Sequence, residues 1–482
     1  MLSRGNIILN KNIQASWIIK SYSTVIDLKT ILKEQIPIRK NEIQKIKKNY
    51  GNKKIDEITI NSLLGGMRGN RSMFWRSTSL DPNLGIKFHG LTIEDCQKNL
   101  PKLPNTYGQD EKIFLPETML WLLITGEVPT VEQAMILKVE LAKRGRKLPD
   151  YVDKVMSTLP KDLHPMTQFA IGIATLNKDS QFRENYEKGS IGKADYWEST
   201  YEDTLNLIAL LPQLAGKVYS NSYNNGQPLG QFNENEDWSY NICSLLGMTN
   251  TSDSMNIQNF DDKKSQDFVN LMRLYTGIHV DHEGGNVSAH ATHLVGSALS
   301  DAYLSYSSGI MGLAGPLHGL AAQEVVRFLI AMNSNISSPN DKKSIKDYLW
   351  SLLNSHKVIP GYGHAVLRQT DPRWTAMVDF AKRHPEEFEN DKNVMLMQNL
   401  VNIAPGVLKE HGKTANPYPN VDAASGILFY HYGVRELLFF TVIFGCSRAL
   451  GPLSQLVWDR GLGLPIERPK SLDLKSLKEY CD

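Results

Sequence analysis

The chain has 482 residues, enough for a large buried core and for more than one domain. Apolar residues make up 41% and charged residues 22%, ordinary for a globular protein, and the net charge of +2 gives no reason to expect nucleic acid or an acidic membrane as a partner. Four cysteines (Cys96, Cys243, Cys446, Cys481), far apart and without a CxxC pair, speak against a structural zinc or a disulfide framework and fit a reducing compartment.

Residues 1–26 carry Arg4, Lys11 and Lys20, scattered serines and no Asp or Glu. That composition predicts a mitochondrial targeting segment, and hence a protein of the mitochondrial matrix. Without it the net charge is about −1.

Most segments with a clear period read as helix. In TVEQAMILKVELAKRG (130–145), Thr130 is a candidate N-cap with Gln133 three residues on. Val131, Ala134, Leu137 and Leu141 share one face, and Gly145 closes it. Similar periods predict helices around 203–218, 265–277 and 393–410. The ten-residue run LLFFTVIFGC (437–446) is too short to span a bilayer and predicts a buried helix. Period-2 runs are scarce and no βαβ rhythm appears, so the chain reads as mainly α. The polar stretches 220–238 and 333–344 read as surface loops. GGMRGNRSMFWR (65–76) is a phosphate-binding loop or a turn, and spacing alone does not choose.

HVDHEGGNVSAHATHL (279–294) gathers four histidines, an aspartate and a glutamate. A zincin needs HExxH, but His282-Glu283 is followed by Gly-Gly and then Asn286, so that motif fails. His279 and His282, or His290 and His293, are spaced for one helix face, yet the glycines should interrupt any single helix. The readings left are a metal site of unmatched spacing and histidines hydrogen-bonded in a tight interior.

Downstream, GLAGPLHGL sets His318 on a small-residue turn, and GYGHAVLRQTDPR sets His364 after two glycines and adds Arg368 and Arg373. NPYPNVDAASG carries Asp422 in a Pro- and Gly-bounded loop, FGCSRALG adds Arg448, and LPIERPKS adds Arg468. Loop histidines, a loop aspartate and arginines in apolar surroundings point to acid/base chemistry on a substrate with carboxylates.

In this order, from GGMRG and LHPM through HEGGNVSAH, GLAGPLHG, GYGHAVLRQTDPR and NVDAASG to ERPKS, the motifs resemble the citrate synthase family across nearly all of 27–475. NVDAASGILFYHYG and FFTVIFGCSRALGPL look most like its fungal mitochondrial citrate/2-methylcitrate branch. The resemblance implies an all-α, two-domain fold. A large domain (27–319, with a C-terminal return over 435–482) would be closed by a smaller, mobile one (320–434).

It also implies condensation of oxaloacetate with a short acyl-CoA, followed by thioester hydrolysis. Asp422 would be the base, His318 the neutral imidazole on the thioester oxygen, and His364 the acid. His282, Arg373, Arg448 and Arg468 would bind oxaloacetate, with Arg468 reaching the partner's site in a homodimer. Arg68, Arg368 and Lys193 would meet CoA, which is a substrate; no cofactor and no metal are implied. His279, His290 and His293 would be structural.

The chain departs from the common DAHSG pattern in having Ala424 two residues after Asp422. Room left by the missing imidazole would admit propionyl-CoA and give 2-methylcitrate, since one methylene changes discrimination by only about 1–3 kcal/mol. The other reading makes Ala424 inconsequential and the enzyme strict for acetyl-CoA. A metal-dependent hydrolase or a catalytically inactive interaction dimer fits less well, because the positions of acid, base and anion clamp are all filled.

Overall fold

The computed structural model describes residues 26–103, 112–364, 366–414 and 416–481. The acid-free N-terminal segment lies outside them except for Ile26.

The fold is helical, as the periodicity predicts. Thr130 caps the helix Val131–Gly145 through a reciprocal capping box with Gln133, and Ala134, Leu137 and Leu141 face the core. The other three predicted helices appear as Tyr196–Tyr223, Asp262–Ile278 and Lys392–His411. Each is longer than its apolar period: Asp261 and Asp391 cap the second and third beyond it, and the first gains buried residues at both ends.

Tyr196–Tyr223 runs four residues into the stretch expected to be loop. Ser220 and Asn221 are buried there, and the Asn221 amide donates to Gln168 Oε1 at 2.6 Å. Tertiary hydrogen bonds thus keep polar residues helical where composition alone reads as loop. The helix is buried on nearly every side and forms the central post. Against it pack Val131–Gly145, Pro165–Thr175, Trp238–Leu245 and Leu450–Leu462.

The apolar run 437–446 becomes a 3-10 turn, Leu437–Phe439, and the helix Phe440–Arg448. By composition Leu437–Leu462 is long and apolar enough to cross a membrane, but 83% of its most apolar window is buried inside the protein. Here it is core.

One element has no signal in the sequence. A two-stranded antiparallel hairpin pairs Thr78–Asp81 with Gly85–Phe88, Thr78 opposite Phe88. Its strands are four residues each and their burial does not alternate, so no period-2 pattern marks them. The tip rests on the loops around residues 366–372: the Arg368 amide donates to Pro82 O at 2.7 Å, and Gly85 lies against the Pro372 ring.

A second group of helices, Ala321–Asn333, Lys342–Asn354, Lys392–His411 and Asp422–His431, packs largely on itself. The loop expected over 333–344 narrows to 334–341, since Asp341 caps Lys342–Asn354 through the Lys343 and Ser344 amides.

Candidate active site

The Gly-Gly pair does break the histidine segment. Asp262–Ile278 ends at His279, Val287–Ser297 begins after the N-cap Asn286, and 280–286 forms the turn between. That turn is clamped from the hairpin side. Buried Asp281 accepts from Trp75 Nε1 at 2.8 Å and Thr78 Oγ1 at 2.7 Å, while the Glu283 amide donates to Thr78 Oγ1 at 3.1 Å. Among the described residues no group of three or more His, Cys, Asp or Glu is placed to hold a metal ion.

The four histidines diverge. His279 is buried, stacks on Tyr275 at 3.9 Å and bonds the Tyr275 carbonyl through Nδ1. His282 turns the other way: its ring lies 5.3 Å from His364, and Arg373 Nη2 donates to its Nε2 at 3.1 Å. His290 and His293 face Glu467 and Asp459.

Arg448 is fully buried near the same turn. Its Nε donates to His279 O at 3.1 Å, and its Nη1 to Asn286 Oδ1 at 3.0 Å and Ser288 Oγ at 3.3 Å. Burial, opposed by Asp281, lowers its pKa to about 10, so it stays cationic at neutral pH.

His318 sits on the turn between Ala302–Leu313 and Ala321–Asn333. Gly319 makes that turn possible, because a Cβ there would come 2.2 Å from Leu313 O and 2.6 Å from Thr441. The Ser288 amide donates to His318 Nε2 at 3.2 Å, and Ser288 Oγ lies 2.9 Å from the same atom. Nε2 is therefore an acceptor and the ring proton is on Nδ1. Burial, with Arg448 adding to it, depresses the pKa to about 3, so the ring is neutral at pH 7.

His364 has the opposite tautomer. The Val366 and Leu367 amides both donate to its Nδ1 at 3.0 Å, which leaves the proton on Nε2. Burial and Arg373 lower its pKa to about 4. Arg373 is the second residue of the helix Pro372–Arg383 and is held by the N-cap: Asp371 accepts from Arg373 Nε at 3.1 Å and Nη2 at 2.7 Å.

Asp422 is not in a loop. It is the first residue of the helix Asp422–His431, its amide capped by Asn420 Oδ1 at 3.1 Å, and the side chain is partly buried. The helix starts after Val421, just past the Pro-rich stretch that suggested a loop. Burial raises the carboxyl pKa to about 6 despite Arg373 and Arg448 nearby. Ala424, two positions on, is wholly buried. By helix geometry its side chain points roughly 200° round from that of Asp422, and it packs into the core.

The structure thus gathers His282, His364, Arg373 and Asp422 on one side and Arg448, Ser288 and His318 on the other. The Phe444 ring is edge-on to His318 and lies under the Arg448 guanidinium at 4.7 Å. Arg68, Lys193 and Arg468 are all exposed and touch none of this group. Arg368 is also exposed; its Nη1 donates to the Val366 and Leu367 carbonyls at 2.8 Å, beside the His364 loop. Sequence reasoning missed Asp281, Asn286, Ser288 and Asp371. Asn286 and Asp371 stand where N-caps belong, and that signal could have found them.

A family model described as "Citrate synthase, C-terminal domain" matches residues 66–470. The mitochondrial citrate synthase 3 of Saccharomyces cerevisiae is 67% identical over 98% of this chain and 96% of its own. The mitochondrial 2-methylcitrate synthase of Fusarium solani is 52% identical over 95% and 92%. Among solved structures, the citrate synthase of Pyrobaculum aerophilum superposes with a TM-score of 0.69 at 23% identity, covering 85% of this chain and 92% of that one. Thermoplasma acidophilum citrate synthase, in a ternary complex with carboxymethyl coenzyme A and oxaloacetate, gives 0.67 at 20% identity, covering 87% and 97%. This all-α protein belongs to the citrate synthase family. Its similarity extends both to a citrate synthase and to 2-methylcitrate synthases of fungal mitochondria.

Proposed function

We propose that this mitochondrial enzyme condenses oxaloacetate with acetyl-CoA and propionyl-CoA, then hydrolyses the thioester to release citrate or 2-methylcitrate and CoA. Asp422 removes a proton from the carbon next to the thioester. A carboxylate whose pKa is raised to about 6 is a stronger base than an ordinary one and is still ionised at pH 7. His318 donates its Nδ1–H to the thioester oxygen as the proton leaves, so an enol forms in place of a free enolate. His364 offers Nε2–H to the ketone of oxaloacetate as the carbon–carbon bond forms. Arg373, Arg448 and His282 hold the oxaloacetate carboxylates, with Arg468 supplied by a second subunit.

The observation that carries this reading is the pair of opposed histidine tautomers. Backbone amides fix Nδ1–H on His318 and Nε2–H on His364, which is what two neutral proton donors need. Acceptance of propionyl-CoA rests on the similarity to 2-methylcitrate synthases and not on Ala424.

A homodimer is supported by an apolar face beside the site. Val287, Leu294, Leu304, Met311 and Leu317 are exposed on neighbouring elements, Leu317 completely, and Ile466, Leu472 and Leu474 are exposed in the C-terminal segment. Closure of a small domain, residues 320–434, is supported by the packing of Ala321–Asn333, Lys342–Asn354, Lys392–His411 and Asp422–His431 largely on one another. Arg68, Arg368 and Lys193 are the cations offered to the CoA phosphates.

The test is free-thiol release from each thioester with and without oxaloacetate, repeated with Asp422→Ala. Oxaloacetate-dependent release from both, lost in the variant, is expected. Release from acetyl-CoA alone would leave a strict citrate synthase, and release from neither would overturn the reading.

A further inference from the structure

Arg468 lies in LPIERPKS, a stretch with neither helix nor strand. Among the described residues, only Glu467 ties residues 465–472 to the rest of the protein by hydrogen bonds or ion pairs. Its amide donates to Ser297 Oγ at 3.0 Å, its Oε1 meets His290 Nε2 at 2.8 Å, and its Oε2 lies 3.5 Å from His293 Nε2. Positions 290, 293 and 297 share one face of the helix Val287–Ser297, so the three contacts form a single clamp. Behind it, His293 Nδ1 is 2.8 Å from Asp459 Oδ2, and Gln455 Nε2 donates to Asp459 Oδ1 at 2.8 Å. Burial opposes a charge on His293, but the Asp459 hydrogen bond and the charges of Asp459 and Glu467 prevail and its pKa is raised.

The chain around the clamp is stiff. Pro465 and Pro469 fix their own φ, and Pro469 restricts Arg468 to extended backbone. The Cα of Arg468 is about 3.8 Å from that of Glu467, so fixing one residue places the other.

We propose that His290 and His293 are positioning residues that clamp Glu467 on the Val287–Ser297 helix and thereby present Arg468 to the active site of a second copy of this chain. The inference rests on the reading of Arg468 as the arginine supplied across a dimer. It gives one helix two duties. Its first turn, through Asn286 and Ser288, orients Arg448 and His318 of its own site, and its side aims the arginine that completes the other.

Mixed dimers separate the two. A protomer carrying Asp422→Ala and one carrying Arg468→Ala together hold one complete site, built from the second protomer's residues and the first protomer's Arg468. Purified by two tags, this dimer is expected to turn over. Failure to do so would overturn the shared-arginine reading and the clamp with it.

Glu467→Gln, or separately His293→Gln, is then added to one protomer at a time. Placed on the Asp422→Ala protomer, which supplies the arginine, it is expected to raise the oxaloacetate KM about tenfold, as for weakening one charge-assisted hydrogen bond. Placed on the Arg468→Ala protomer, it should not. Equal effects in both placements would mean a merely structural role and overturn the proposal, as would no effect in either. Thermal melting of each mixed dimer shows whether a change reflects unfolding.

Discussion

The Ser288 amide points its hydrogen at His318 Nε2, and that bond decides which nitrogen of the histidine carries the proton. Because a backbone N–H can only donate, Nε2 must accept; burial and Arg448 keep the ring neutral, so its one hydrogen is on Nδ1. Ser288 Oγ adds a second contact at 2.9 Å and accepts from Arg448 Nη1. Ser288→Ala should therefore leave the tautomer intact but loosen both groups, lowering kcat by about tenfold. His318→Gln should cost about 10²–10⁴-fold. Steady-state kinetics of the two variants, with thermal melts as a control on folding, checks the order.

The proposed base, Asp422, should set the acidic limb of the pH profile. Burial raises the pKa of this carboxyl to about 6, whereas His318 and His364 lose their protons near 3 and 4. The value of kcat/KM should fall as pH drops through about 6, with one group protonating, since this ratio reports the free enzyme. A pH profile with its inflection near 4 would assign the limb to His364 instead.

The same shift makes Asp422 a cost to stability. Its folded pKa is raised above the ordinary value of 3.8, so between about 4 and 6 the native state binds more protons than the unfolded chain. Stability from this group is therefore present at low pH, is lost as pH rises through that window, and stays lost above it. Asp422→Asn, neutral at every pH, should melt at a higher temperature than the parent at pH 7.5, gaining about 1–3 kcal/mol while losing activity. The gain should disappear near pH 4.

Gly85 is a test of the hairpin. Its φ is +78°, and a Cβ would come 2.4 Å from Pro372, the residue that starts the Arg373 helix. Gly85→Ala should cost about 1–3 kcal/mol through strain, and should raise the oxaloacetate KM by displacing Arg373 from His282. A loss of stability with an unchanged KM would separate the hairpin from the site.

Ala424→His restores the imidazole whose absence the sequence makes conspicuous. Ala424 is wholly buried on the far side of the helix from Asp422, so the larger ring should overpack that helix. Activity with acetyl-CoA and propionyl-CoA should fall together. A changed ratio of the two rates would return Ala424 to the acyl pocket.

By itself the sequence determined the helical class and the order of the motifs. Periodicity and capping are local: Thr130 and Gln133 lie three residues apart and meet within one helical turn. It also determined that the histidine segment is broken at Gly284-Gly285, because glycine weakens a helix wherever it stands.

Only the tertiary structure decided which histidine does what. His279 and His282 are three residues apart, yet one stacks on Tyr275 in the core and the other meets Arg373, ninety-one positions along the chain. The tautomers of His318 and His364 likewise depend on amides and burial that folding supplies, as does the raised pKa of Asp422. The hairpin that clamps the 280–286 turn left no period to read, since its hold on Asp281 comes from Trp75 and Thr78, more than two hundred residues away. Residue types and spacing fix what a side chain can do. Desolvation and long-range partners fix which form it takes, and these exist only once the chain has packed.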